Sequence, residues 1–213
     1  MYCIIGDGVR KYMSTVIGIC GTNFCSLCAD SRRIVDHAGG WNVADDETQK
    51  IFKINDRVLF GAVGVFETAE ELTAPFDVYP DKSAISVRMA YKAVSAYIER
   101  NMRRCWVAPR WYIVGGKDNK GDFCLYEIHL NGETGVVDVV LRKPDPPMFN
   151  FAMTCGLPPA MLPKRQKYMD LVEGVITSSR THGEMLSGIG DIIRGIAAED
   201  MSVGGDVRIV SVF

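Results

Sequence analysis

The predicted elements run as strands, two helices, strands, two helices and a closing strand. That order makes the chain α+β, built of stacked sheets and helices rather than of alternating βαβ units. Two observations carry it. Short apolar runs bounded by turn residues fill 15–30 and 51–63 and return over 110–141. One-sided apolar stripes at helical spacing lie between and after them, at Val87, Tyr91, Val94, Ile98 and Met102 and again at Met185, Ile189, Ile192, Ile193 and Ile196. Two sheets sandwiched between helix pairs satisfy this order.

Element by element, 15–20 and 24–30 read as a hairpin turning at Gly21-Thr22-Asn23. A glycine-marked loop, Ala38-Gly39-Gly40, follows. Ile51–Ile54 and Val58–Val63 read as a second hairpin turning at Asn55-Asp56, and a helix is expected to start after Gly64 and end near Pro75. The Val87 stripe is the second helix. Strands are expected over 110–115, 123–130 and 134–141, with turns at 117–121 and Asn131-Gly132. Pro144, Pro146 and Pro147 mark a loop, Phe149–Thr154 a short strand and 159–173 a helix. Thr181-x-x-Glu184 fits a capping box at the start of the last helix, and 206–213 reads as a terminal strand.

The chain has 213 residues, which predicts one domain with a sizeable core. A formal net charge of −2 gives no basic excess for nucleic acid and no acidic block. The clusters Arg100/Arg103/Arg104 and Lys164/Arg165/Lys167 read as solvated helix faces. No apolar run approaches the ~20 residues of a membrane span, and Asp7 interrupts the N-terminal apolar stretch too early for a signal sequence. A cytoplasmic location is expected. Seven cysteines without framework spacing read as free thiols. Cys25 and Cys28 stand three apart on a strand, so they point to opposite faces and do not share a metal. His37, His129 and His182 are scattered and read as surface or loop residues.

Several segments, taken in order, resemble one family. Ser14-Thr15-Val16-Ile17-Gly18, Ala29-Asp30-Ser31-Arg32, Lys50-Ile51-Phe52 and Gly61-Ala62-Val63-Gly64 resemble the front half of a proteasome β-type subunit. Tyr112 to Asp118 resembles its (I/V)xGxD strand, Leu125-Tyr126-Glu127-Ile128 its LYxID strand, and Ala197 to Val207 its AxxRDxxSGGxV closure. The likeness spans nearly all of 14–213. It implies the four-layer αββα sandwich of the N-terminal-nucleophile (Ntn) hydrolases, in agreement with the layer order above.

The resemblance also implies a chemistry. Counting back from Asp30 puts Ser14, not Thr15, at the nucleophile position of this threonine- or serine-type endopeptidase class. Residues 1–13 would be a pro-segment, and 14–213 the hydrolase domain. The freed α-amine of Ser14 would act as base, Lys50 would depress the nucleophile's pKa, and Asp30 would hold Lys50. The Gly64 N–H would bind the oxyanion and Asp200 would support the amine. Thr48, Phe52, Ala62, Phe66 and Glu70 fall where the family lines its substrate pocket, and small Ala62 between Phe52 and Phe66 implies an apolar P1 preference. Three positions depart from the pattern: Met13 replaces the glycine before the nucleophile, Thr154-Cys155-Gly156-Leu157 lacks the serine of a Gly-Ser-Gly turn, and Val203 replaces a supporting serine, with Ser202 one place earlier. An unprocessed, non-catalytic ring subunit therefore stands as the alternative, and an Ntn amidase acting on small amides as a third reading. The implied partners are peptide or unfolded-protein substrates, further copies of the chain in a homo-oligomeric ring, and an ATPase regulator. No metal or organic cofactor is implied.

Overall fold

The computed structural model describes residues 15–37, 40–64, 70–107, 110–131, 134–146, 151–157 and 159–213. Strands β1 (Val16–Gly21) and β2 (Cys25–Ala29) form the first hairpin, closed by Gly21 N–H donating to Phe24 O at 3.0 Å. β2 pairs on its other side with β11 (Arg208–Val212), and β1 pairs with β10 (Phe151–Gly156). The result is an antiparallel sheet ordered β10-β1-β2-β11. A second antiparallel sheet is ordered β5 (Ile51–Asn55), β6 (Val58–Gly64), β7 (Arg110–Lys117), β8 (Phe123–Leu130) and β9 (Val137–Arg142).

The sheets stack face to face. Alternation in β1 sends Val16 and Cys20 toward the second sheet and Ile17 and Ile19 toward helices α4 (Arg165–Ser178) and α5 (His182–Glu199). In β2 the same rule puts Cys25 between the sheets and Cys28 against the helices, so the two thiols do face opposite ways. In β6, Val58, Phe60 and Ala62 face helix α2 (Val87–Arg100), while Leu59 and Val63 face the first sheet. Both faces of β1, β2 and β6 are covered, which is why these strands read as continuous apolar runs. The layers are helices, sheet, sheet, helices: the αββα sandwich.

Local differences from the sequence reading have identifiable causes. Residues around the expected Ala38-Gly39-Gly40 loop pair as a separate ribbon, β3 (Arg33–His37) with β4 (Gly40–Asp45); residues 38 and 39 lie outside the described residues. After Gly64 the first described helical turn is the four-residue α1 (Glu70–Thr73), continued as a 3-10 turn over Ala74–Phe76. Met102 belongs not to α2 but to α3 (Met102–Val107), past the cap at Asn101. The expected helix over 159–173 opens as a 3-10 helix, Pro159–Lys164, containing Pro163, and becomes α-helical only at Arg165. The strand expected from 134 begins at Val137, because Asn131 N–H bonds Val136 O at 2.8 Å and closes a turn first. The Thr181 hydroxyl accepts from Glu184 N–H at 3.1 Å as a cap, while the Glu184 carboxylate reaches Arg180 N–H at 2.9 Å rather than the cap residue.

Arg165 corrects the solvated-face reading of its cluster. Its Nη2 lies 2.7 Å from Glu127 Oε1 and its Nε donates to Cys155 O at 2.9 Å. Glu127 Oε2 accepts from Thr154 Oγ1 at 2.8 Å and from Arg142 Nη2 at 3.3 Å. This network, buried at Glu127 and Thr154 and half-exposed at the two arginines, ties β8 of one sheet to β10 of the other. Cys20, Cys25, Cys28, Cys105, Cys124 and Cys155 are buried free thiols. No helix among the described residues is long and apolar enough to cross a membrane.

Candidate active site

One end of the sandwich gathers the start of β1, the end of β2, the residue before β5, the end of β6 and the turn before β11. Asp30 follows β2 directly and Lys50 precedes β5 directly. Lys50 Nζ lies 2.8 Å from Asp30 Oδ2, and both side chains are 1% exposed. Three backbone N–H groups share the carboxylate: Thr15 donates to Oδ1 at 2.8 Å, and Gly204 and Arg32 donate to Oδ2 at 3.1 and 3.2 Å. One ammonium and three amides together replace the water that a buried carboxylate would otherwise hold. Burial pushes the Lys50 ammonium below the ordinary lysine range, opposed by the Asp30 charge and hydrogen bond.

The surrounding loops are locked to this pair. Ser31 and Arg32 N–H both donate to Gly204 O, at 3.1 and 2.9 Å. The Arg32 guanidinium grips Asp46 in a fork, 2.7 Å from Nε to Oδ1 and 3.1 Å from Nη2 to Oδ2. That contact holds the Asp46 carboxyl below its usual range. The Ser31 hydroxyl donates to Asp46 O and accepts from Asp206 N–H at 2.8 Å.

Strand packing brings the remaining elements in. Ala62 N–H donates to Lys50 O at 3.1 Å, which places Lys50 beside the last turn of residues in β6. A Cβ on Gly61 would stand 3.0 Å from Val16 Cγ1, and one on Gly156 would stand 2.9 Å from Val63 Cγ2 and 3.6 Å from Val16 O. The start of β1 therefore sits where the ends of β6 and β10 converge, and the glycines make that approach fit. Gly64 ends β6 at φ 126°, a backbone state that favours glycine.

The structure thus brings Asp30 and Lys50 into direct contact and sets Gly64 two residues beyond the Ala62–Lys50 bond. Asp200 is held differently. It caps α5, and its Oδ1 accepts from Ser202 N–H at 2.8 Å within the turn that leads to Gly204. Ser14, Met13 and Phe66 lie outside the described residues. Of the other pocket positions, Ala62 is buried on the α2 side of β6 and half-buried Phe52 packs against the same cluster. Thr48 Oγ1 donates to Asp45 Oδ1 at 2.8 Å, and Glu70 is exposed at the start of α1. Sequence reasoning missed the amides of Thr15, Arg32 and Gly204 as partners of Asp30, because backbone donors carry no side-chain signature. It also missed the ion pair of buried Arg110 with half-buried Glu71, 2.9 Å apart.

A second polar cluster lies at the other end of the first sheet. His182, at the start of α5, places Nε2 3.1 Å from Ser26 Oγ, which is 2.8 Å from Ser211 Oγ. Its ring stands edge-on to Phe24 and Phe213, at centroid distances of 4.8 and 5.3 Å. His182 is therefore packed, not a free loop residue, and His129 likewise packs edge-on to Trp111 at 5.5 Å. Among the described residues no group of three or more His, Cys, Asp or Glu side chains is arranged to hold a metal ion.

Residues 11–140, more than half of the chain, match the family model described as Proteasome subunit. No curated protein matches the chain.

Proposed function

The chain belongs to the proteasome subunit family, whose members assemble in rings, and from that premise we propose that it is a peptide-bond hydrolase of the Ntn type with Ser14 as its nucleophile. Removal of residues 1–13 exposes the Ser14 α-amine. That amine, with a free pKa near ~7.7–8.0, takes the hydroxyl proton as Oγ attacks the substrate carbonyl. The Lys50 ammonium stabilises the developing alkoxide, and Asp30 keeps that ammonium in place. The Gly64 N–H receives the oxyanion, a contribution of about 3–4 kcal/mol in comparable sites. Asp200 supports the amine through the turn it caps. Water then releases the acyl group from Ser14.

The observation that carries this reading is the buried Asp30 carboxylate, which holds both Lys50 Nζ and the N–H of Thr15 at 2.8 Å. Burying an ion pair is costly compared with apolar packing, and this one is aimed at the residue that follows the proposed nucleophile. Thr48, Phe52, Ala62, Phe66 and Glu70 form the proposed pocket, which takes an apolar P1 side chain. The chain acts in the cytoplasm within a homo-oligomeric ring, fed by an ATPase, on peptides or unfolded chains. Exposed Val139, Val140 and Leu141 on edge strand β9 are suited to contact between subunits.

Intact mass and fluorogenic-peptide cleavage test the proposal together. The expected result is a species starting at Ser14 that cleaves after apolar residues, with Ser14→Ala remaining full length and inert. A full-length chain without peptidase activity overturns it. The second reading, an unprocessed ring subunit, is favoured by Met13, by the absence of serine from Thr154-Cys155-Gly156-Leu157 and by Val203. Turnover of small amides but not of peptides would point to an amidase.

A further inference from the structure

We infer that Ser31 is a positioning residue: it ties the segment that delivers the Lys50 ammonium to the turn that delivers the Gly204 N–H, so that both donors meet one oxygen of Asp30. The inference rests on the roles proposed above for Asp30 and Lys50.

The two donors reach Asp30 Oδ2 from loops far apart in sequence. Lys50 Nζ arrives at 2.8 Å from the segment between β4 and β5, and Gly204 N–H at 3.1 Å from the turn between α5 and β11. Ser31, buried beside Asp30, joins those loops. Its carbonyl accepts from the N–H of Thr48, just before Lys50, at 2.9 Å, and its own N–H donates to Gly204 O at 3.1 Å. The hydroxyl repeats the pattern: it donates to Asp46 O and accepts from Asp206 N–H at 2.8 Å. Each loop thus receives one backbone and one side-chain bond from a single residue.

A hydroxyl donates and accepts at once. Alanine at this position would strip Asp46 O and Asp206 N–H of those bonds together. The approach is close: a Cβ on Gly205, at φ +70°, would stand 2.5 Å from Ser31 Oγ and 2.8 Å from Asp46 O. The turn and the Lys50 segment therefore meet at the Ser31 hydroxyl itself. Arg32 also spans them, but it grips the Asp46 side chain, which is 43% exposed, and reaches Met201 O only at 3.4 Å. Ser31 holds the main chain of both loops. Placement matters at this point, since a misplacement of about 1 Å can cost ~100-fold in rate.

The test uses the full chain with Ser31→Ala, Ser31→Thr and Ser211→Ala. The last removes a hydroxyl bond to Ser26 at the other end of the same sheet and controls for general loosening. Hydrogen–deuterium exchange is followed in peptides covering 46–52 and 200–208, alongside kcat and KM for an apolar-P1 fluorogenic peptide. Ser31→Ala is expected to raise exchange in both segments about tenfold over the rest of the chain. It should lower kcat about 10-fold or more with KM within about threefold, the pattern of misplaced catalytic groups rather than of lost substrate binding. Ser31→Thr keeps the hydroxyl and should retain both properties, and Ser211→Ala should change neither. If Ser31→Ala does not fold, Ser31→Cys, which keeps the shape but bonds weakly, takes its place. If Ser31→Thr does not fold, the contrast with Ser211→Ala decides. Unchanged exchange in the two segments overturns the tie whatever the kinetics show. Raised exchange with unchanged kcat per folded site, or an equal kcat loss in Ser211→Ala, overturns its link to Asp30 and Lys50. A wild-type chain without peptidase activity refutes the proposed function instead, and the exchange data then judge the tie alone.

Discussion

Asp30 and Lys50 meet 2.8 Å apart with neither side chain open to water, yet the two partners are not equally dependent on each other. Asp30 also accepts three backbone N–H bonds, so it keeps most of its stabilisation when the lysine is removed. Removal of the carboxylate takes away the counter-ion of the ammonium and orphans the amides of Thr15 and Gly204, while Arg32 N–H keeps its 2.9 Å bond to Gly204 O.

Lys50→Met is therefore expected to cost about 3 kcal/mol, the low end of the range for breaking a buried pair, because three amides still hold the carboxylate. Asp30→Leu should cost more, because each orphaned donor adds ~1–3 kcal/mol. That total is comparable with the whole stability of a domain, about 5–15 kcal/mol. Urea unfolding midpoints rank the two, and equal losses would contradict the asymmetry.

Stability should fall as the medium is acidified through the range where histidine titrates. Burial beside Phe24 and Phe213 holds the His182 pKa below its ordinary value. Between that lowered value and the unfolded value of about 6.5, the unfolded chain binds more protons than the folded one. Stability therefore rises with pH across that window and is level above and below it as far as His182 is concerned. Melting temperatures at pH 5.5 and 7.5 are expected to differ, with a smaller gap in His182→Gln. An identical gap in the variant would rule out His182 as the source.

The hairpins β1–β2 and β5–β6 and helix α5 were legible because each carries its own signal: apolar runs with a turn between, or a cap followed by a stripe. The β3–β4 ribbon was not. Residues 33–45 mix Asp36, Asn42 and paired glycines, so the segment carries neither a continuous apolar run nor a clean alternation. At the site, Asp30 and Lys50 were legible through the family resemblance of the segments that carry them. Gly204 was visible only as part of a closing motif, and its N–H bond to Asp30 spans 174 residues. Arg110 with Glu71, and Arg165 with Glu127, are ion pairs 39 and 38 residues apart. No local pattern announces such partners, so the basic residues read as solvated or went unmarked.

Glycine substitutions should separate tight positions from open ones. Gly205 has φ +70°, and a Cβ there would stand 2.5 Å from Ser31 Oγ and 2.8 Å from Asp46 O. Gly205→Ala is expected to cost about 2–4 kcal/mol from strain and overpacking together. Gly174 and Gly195 lie on exposed helix positions with nothing within 4 Å of a new Cβ. Alanine there should stabilise by about 0.5–1 kcal/mol through helix propensity. Thermal unfolding of the three variants checks the signs.

The Glu127 network makes a prediction whose sign depends on pH. Burial alone would raise the Glu127 carboxyl, but Arg165, Thr154 and Arg142 outweigh it and hold the group below its ordinary value. The stability it contributes is thus present above the unfolded pKa of about 4.5 and is lost as pH falls through the folded value. Arg165→Met removes the nearer guanidinium and leaves a buried carboxylate with only Arg142 and Thr154, at an expected cost of about 3–5 kcal/mol near neutrality. Adding Glu127→Gln to that variant should recover part of the loss, with a coupling of ~1–3 kcal/mol between the two sites. Below about pH 4.5 the stranded carboxyl takes up a proton, its desolvation cost is relieved, and the gap between Arg165→Met and the parent chain should narrow. Urea unfolding at pH 7 and pH 4 measures both effects. A gap that stays constant across that range would mean that Arg165 stabilises the two-sheet junction by packing on Trp111, 5.8 Å from the ring centroid, rather than through Glu127.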